Sequence, residues 1–220
     1  MHIINLIQSL LKPSGITAHL MKLNNESFIL DVGCANESCS KIKKILPNCF
    51  YHCIDIKKQS MNEMIKADDY TVSSSQDFFK KLSSINRGFD CIISKHNLEH
   101  CEDWKETLNS IMKKVKFNGY IYLSFPCSQS INYPSRKGTL NFYDDPTHKN
   151  MIDSNIVIEE LVKNNFEILN YKKKYQPIAL YLIGFFLEPF SKYFNRVLLG
   201  TWEYYGFETI IISRKTKTNE

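Results

Sequence analysis

Apolar positions along the chain fall into short blocks, and the spacing inside each block separates strands from helices. Phe28, Ile29, Leu30 and Val32 form a run broken by Asp31 and stopped at Gly33, the pattern of a strand buried on both faces. Ile42, Ile45 and Leu46 then recur at helical spacing until Pro47 closes the segment. Phe50–Asp55 reads as a second strand ending in a carboxylate. Asn62–Ala67 reads as a third strand with Asp68 and Asp69 at its end, or equally as a polar loop. Ser73, Ser74 and Ser75 signal a helix start before Phe78, Phe79 and Leu82. Gly88 precedes a fourth strand, Phe89–Ser94, and Trp104, Leu108, Ile111, Met112 and Val115 follow at helical spacing. Asn118-Gly119 ends that helix, and Tyr120–Phe125 is a fifth strand.

Beyond the fifth strand the alternation loosens. Residues 126–151 are polar and rich in turn formers, which predicts an ordered functional loop. Ile156–Val162 continues as a helix, Phe166–Tyr171 as a sixth strand, and Phe207–Ser213 as a last strand antiparallel beside it. Residues 176–205 interrupt the pattern with Phe185, Phe186, Phe190, Tyr193 and Phe194, more aromatic surface than a connection needs. A helical cap over an acceptor pocket, or a homodimer contact, is expected there. Pro177–Leu187 is too short an apolar run to span a bilayer as a helix. At the other end, Ile3, Ile4, Ile7, Leu10 and Leu11 share a helical face, Pro13 and Gly15 end it, and a second short helix runs to Leu23. Residues 1–26 are therefore expected to form a helical flap on the domain spanning 27–220.

Composition narrows the class only modestly. The 220 residues suit one domain with an appendage, and 43% hydrophobic with 23% charged residues is ordinary for a globular protein. A net charge of +5 permits an anionic acceptor, but no basic block marks a nucleic-acid arm. Seven cysteines without a Cys-x-x-Cys pair predict reduced thiols and a cytoplasmic protein, and the first residues lack a secretory pattern.

A strand, a turn with Gly33 at its apex and a helix start make a cradle for a nucleotide-like ligand. Gly33 lets the backbone come close to that ligand, and Asp55 can accept hydrogen bonds from both ribose hydroxyls. The ordered set Ile29-Leu-Asp-Val-Gly-Cys-Ala-Asn36, Ile54-Asp-Ile56, Phe89-Asp-Cys-Ile-Ile-Ser94 and Glu99-His100 resembles the class I S-adenosylmethionine-dependent methyltransferases over roughly residues 27–175, with a fitting final strand near 208–214. The resemblance implies an α/β, Rossmann-like, doubly wound sheet of seven mostly parallel strands whose last strand is antiparallel. It implies S-adenosylmethionine as cofactor, with Asp31, Gly33, Cys34, Ala35, Asp55, Ile56, Asp68 and Ser94 as binding residues. The flap would pack on the sheet or close over that cofactor. One departure stands out: the family's Gly-x-Gly-x-Gly turn is here Gly33-Cys-Ala35-Asn-Glu37.

The loop after the fourth strand should face the reaction centre. On a helical turn His96, Glu99 and His100 share a face, which suits a divalent metal or general-base chemistry. His-x-x-Glu-His is also the inverted zinc-protease motif, but here it follows a buried strand beside a nucleotide-type turn, the wrong scaffold. Family members that methylate vicinal hydroxyls use an acid-x-x-Glu-His string with a distant His to hold an ion. His96 stands for that acid here and His148 for the distant partner, so His96, Glu99, His100 and His148 form a candidate metal set. His148, close in sequence to Asp144 and Asp145, is read as a proton acceptor in preference to a cap of the next turn, and Glu99 and His100 complete the catalytic candidates. Tyr133, Arg136 and Lys137 can clamp an anionic group or form a solvated loop tip. Gly138-Thr-Leu-Asn-Phe-Tyr-Asp-Asp-Pro-Thr-His148 resembles loops of bacterial methyltransferases of surface-polysaccharide biosynthesis. The expected function is O-methylation of a small sugar-like or phosphorylated acceptor. A catalytically silent binding subunit and an RNA 2′-hydroxyl methyltransferase are the rivals.

Overall fold

The computed structural model describes residues 15–58 and 60–217. The apolar face expected over residues 3–11 lies outside the described residues. A short helix α1 (Gly15–Leu20) leads into β1 (Phe28–Val32), α2 (Ser38–Ile45), β2 (Phe50–Asp55), α3 (Met61–Lys66), β3 (Asp69–Val72) and α4 (Phe78–Ser84). The second half runs β4 (Phe89–Lys95), α5 (Trp104–Lys114), β5 (Val115–Pro126), α6 (Ser154–Lys163), β6 (Phe166–Lys172), α7 (Ile178–Tyr193), α8 (Thr201–Tyr205) and β7 (Glu208–Lys215). Seven strands form one sheet in the order β3-β2-β1-β4-β5-β7-β6. β7 is antiparallel to both of its neighbours, and the inner pairs are parallel.

Period-two alternation puts successive β1 side chains on opposite faces of the sheet. Leu30 and Val32 join Leu82, Leu108, Ile111, Val157 and Leu161 in one layer, under α4, α5 and α6. Ile29 joins Leu20, Ile42, Tyr51, Cys53 and Tyr122 in the other, under α1 and α2. Both faces are covered, which is why the inner strands read as nearly continuous apolar runs.

Two elements depart from expectation. Asn62–Ala67 is neither strand nor polar loop; it is helix α3, begun where Glu63 and Met64 donate to the Ser60 carbonyl. Its residues favour a helix, and Ile65 is the one β-branched side chain among them. The third strand is Asp69–Val72, an edge pairing His52 with Asp69 and Asp55 with Val72. The helix expected to end at Asn118-Gly119 stops at Lys114, and the sheet already begins at Val115. Asn118, at φ 61°, marks the irregularity that follows. The insertion is helical as expected, in α7 and α8, and no helix among the described residues is long and apolar enough to cross a membrane.

Candidate active site

Strand order reverses between β1 and β4, so a crevice opens beyond their carboxyl ends. A cavity of about 530 Å³ opens there and runs back along α2, bounded by Ile16, Thr17 and Leu20 of α1, the turn after β1, Ile42 and Ile45 of α2, and Ile93, Lys95 and His96 of β4 and its loop. Of the expected cofactor residues Asp31, Gly33 and Ala35 line it, and Cys34, Asp55, Ile56, Asp68 and Ser94 do not. Small-molecule sites span roughly 300–1,000 Å³, so it has the size for a nucleoside-like ligand.

Gly33 makes the turn with φ 75°, and its N–H donates to the Ile54 carbonyl at 2.8 Å. A Cβ at this position would overlap the Asn97 side chain, so glycine is required by conformation and by space. Glu37, in the place of the family's last glycine, holds φ 65° without one. That left-handed conformation costs a non-glycine residue about 1–2 kcal/mol. Asp31, 2% exposed, also lines the cavity and accepts hydrogen bonds from the hydroxyls of Tyr51 at 2.7 Å and Ser38 at 2.5 Å. Burial pushes its pKa up while those two donors oppose the rise.

Asp55 ends β2 beside this turn, and its Oδ1 accepts from the Lys57 N–H at 2.9 Å. Ile56 follows it, half-exposed, and Ser94 is buried near the end of β4 within 3.4 Å of Asn97 Nδ2. Ala35 lines the cavity. Cys34 and Cys53 are joined as a disulfide with Cα atoms 6.0 Å apart, which overturns the expectation that all seven thiols are free. Asp68 is also misplaced by the sequence reading. Because the third strand starts after it, Asp68 sits at the amino edge of the sheet, accepting from Lys43 Nζ and the Tyr51 N–H, each at 2.7 Å. It stands at the end of the sheet opposite Asp55.

The loop after β4 divides its two histidines. His96, at φ 47°, places Nδ1 3.1 Å from Glu99 Oε1 and Nε2 3.3 Å from Glu208 Oε1. Its ring lies against Phe207 and Trp202. Burial disfavours the imidazolium, but the Glu208 and Glu99 carboxylates outweigh it and lift the pKa to about 9. A protonated ring held between two carboxylates cannot ligate a metal, so His96 leaves the candidate metal set.

Glu99, His100 and His148 do converge. One ligating atom of each lies within 4.8 Å of the others, although Glu99 and His148 are far apart in sequence. His148 Nδ1 is 2.6 Å from the Phe142 carbonyl, and His100 Nδ1 is 3.2 Å from the Thr147 carbonyl. Carbonyls accept, so each Nδ1 is the donor in these contacts. Glu99 is fully buried, and its Oε2 has no hydrogen-bond partner among the described residues. Two imidazoles around an orphaned carboxylate oxygen form a donor set that fits a proton in transit or a divalent ion. The loop is fixed from below by the Lys149 and Asn150 N–H groups, which donate to the Glu99 carbonyl at 2.8 and 3.1 Å.

Asp144 organises the rest of that loop by accepting from the N–H groups of Arg136, Leu140 and Asn141 at 2.9, 3.0 and 2.8 Å. The side chain near His148 is Asp145, whose Oδ2 stands 4.0 Å from Nε2. Arg136 is not a free substrate clamp: it is buried, bidentate to Glu188 at 2.9 and 2.7 Å, with Ser191 Oγ at 2.5 Å. Tyr133 is likewise used internally, donating to the Tyr205 carbonyl at 2.7 Å. Lys137 remains exposed. Sequence reasoning missed Glu208, Trp202 and Phe207 around His96. The antiparallel sense of β7 brings its first residues beside the carboxyl ends of the other strands, and that placement was the available signal.

The geometry agrees with what comparisons find. Residues 4–171 match the family described as Methyltransferase domain. A methyltransferase of Archaeoglobus fulgidus described as SAM dependent superposes with a TM-score of 0.54 at 20% identity, covering 91% of this chain and 93% of that one. An S-adenosylmethionine-dependent methyltransferase of Mesorhizobium loti gives 0.58 at 12% identity, covering 92% and 99%. An uncharacterized protein of Methanocaldococcus jannaschii is 26% identical over 136 residues, 59% of this chain. The match spans 36% of that relative's length. The chain belongs to the methyltransferase-domain family.

Proposed function

We propose that this protein transfers the methyl group of S-adenosylmethionine to a hydroxyl of a small, sugar-like acceptor. The convergence of Glu99, His100 and His148 carries the reading, because Glu99 is bonded to His96, which lines the cavity. The cofactor supplies an electrophilic methyl on a sulfonium when bound. Gly33 would admit it to the turn, and Asp55 would accept hydrogen bonds from its ribose. Nδ1 of His148 is committed to the Phe142 carbonyl, so Nε2 is the atom that takes the acceptor's proton. With the methyl group supplied by the bound cofactor, the proton leaving the acceptor hydroxyl would pass to His148. Much of the remaining barrier, up to roughly 7–11 kcal/mol in well-aligned systems, is open to orientation alone. A phosphorylated acceptor is less well supported, since Arg136 is paired internally.

Mass spectrometry of products from a panel of sugar and sugar-nucleotide acceptors tests the proposal. His148→Ala should slow turnover by about 10²–10⁴-fold while leaving cofactor affinity in place. Near-normal turnover by that variant would remove His148 from catalysis. The orphaned Glu99 Oε2 favours a second version in which Glu99, His100 and His148 hold a divalent ion. Activity lost to a chelator and restored by a divalent ion supports it; indifference to the chelator leaves a simple base.

A further inference from the structure

Helix α7 is turned the wrong way round for a helix that serves only the fold. Its residues toward the protein are small or polar: Gly184 and Ser191 are buried, and Glu188 is bonded to Arg136 and Tyr205. A Cβ at Gly184 would overlap the Gly200 carbonyl, so this close approach fixes which face points inward. The opposite face carries Ile178, Leu182, Phe185, Phe186, Phe190 and Tyr193, at the three- and four-residue spacings of one stripe. Phe186 is 69% exposed, Phe190 55% and Tyr193 83%, and Phe194 continues the stripe past the helix end. Exposed apolar residues scattered singly need no explanation, but a contiguous stripe does.

The C-terminal end of the stripe is basic. Lys192 and Arg196 are exposed beside Phe190 and Tyr193, and Lys137 is stitched to the same corner. Its N–H donates to the Asn195 carbonyl at 3.1 Å, and its carbonyl accepts from the Val197 N–H at 2.9 Å. Glu188 is the single acid in residues 178–200, and it faces inward.

We infer that α7 and the Lys137–Arg196 corner form a docking surface for an anionic lipid bilayer, with the helix lying in the interface plane. Bulky aromatics beside cations are the composition of interfacial helices, which bury an apolar face among acyl chains while Lys and Arg meet anionic headgroups. The helix is too short to cross, so lying flat is the way it meets a bilayer. A second copy of the chain fits the face less well, because a two-fold contact sets the same patch against itself and crowds Lys137, Lys192 and Arg196 with like charges. This surface stands independently of the methyl-transfer reading.

Co-sedimentation of the full chain with vesicles of phosphatidylcholine containing about a third phosphatidylglycerol tests the inference. Binding should be strong at low salt, fall as salt screens the cations, and be weak on phosphatidylcholine alone. Phe186→Ser with Phe190→Ser should weaken partition by on the order of ten-fold or more. Lys192→Glu with Arg196→Glu should weaken it by about five-fold per charge removed. Both double variants alter exposed side chains, and unchanged thermal melting and S-adenosylhomocysteine affinity confirm that the fold persists. Absence of binding to the anionic vesicles, equal binding to neutral ones, or binding that survives both variants overturns the inference. So does a concentration-dependent dimer in size-exclusion chromatography that Phe186→Ser with Phe190→Ser dissolves, which would assign the face to a second copy.

Discussion

Two carboxylates grip His96 from opposite sides, and that grip makes part of the protein's stability depend on pH. Its folded pKa of about 9 stands above the ordinary 6.5, so the folded state holds the proton more tightly than the unfolded chain. The stabilisation is complete below pH 6.5 and is lost as pH rises through about 9. Thermal melting temperature should therefore fall across that window. His96→Gln should melt lower at pH 6 and show a flatter profile; an unchanged slope would mean the ion pairs contribute nothing. Gly33 is the second decisive residue. Gly33→Ala meets both a left-handed backbone and the Asn97 side chain, so it should cost more than the 1–2 kcal/mol of the conformation alone. Denaturant titration reads that loss, and calorimetry should show cofactor binding weakened with it. The Gly33 turn and the place of Asp55 at a strand end were legible because turn geometry and a strand-terminal acid leave local marks. Glu208 left none, since only its pairing with His96 across the sheet gives it a role.

At the scale of elements, a buried carboxylate joins α2 to α3, beside the hydrogen bond that Lys66 Nζ donates to Ser40 Oγ at 2.7 Å. Glu63 accepts from the Ser40 N–H at 3.1 Å and from the Ser40 hydroxyl, fastening the short helix α3 to α2. Glu63→Ala should lower unfolding free energy by about 1.5–3 kcal/mol, as expected for hydrogen bonds to a charged group, measured by urea titration. A change near zero would mean α3 is held by other contacts. Read alone, Asn62–Ala67 offers too few apolar positions to display a period, whereas β3 is a short edge strand with a weak pattern of its own. The inner strands β1, β4 and β5 were legible because burial on both faces writes an apolar run directly into the chain. The insertion announced its aromatic content, yet which face of α7 turns outward depended on Gly184 meeting Gly200.

Over the whole molecule, sheet order does what no single motif does. It sets the β1 turn, the Asp55 strand end and the β4 loop side by side, and the antiparallel β7 then delivers Glu208 to the same edge. The loop before α6 returns His148 to Glu99 and His100, a pairing the sequence supported only by residue type. Arg136 was misassigned for a corresponding reason: its partner Glu188 lies far along the chain, on a helix whose inward face composition alone does not reveal. The proposed cofactor half and the proposed proton-acceptor half of the site thus sit on different elements and can be tested apart. Isothermal calorimetry with S-adenosylhomocysteine on three proteins does so most directly. The wild type should bind with one-to-one stoichiometry, Asp55→Ala should bind about ten- to a hundred-fold more weakly through loss of the ribose contacts, and His148→Ala should bind as the wild type does. No binding by the wild type, or equal binding by wild type and Asp55→Ala, would contradict the account.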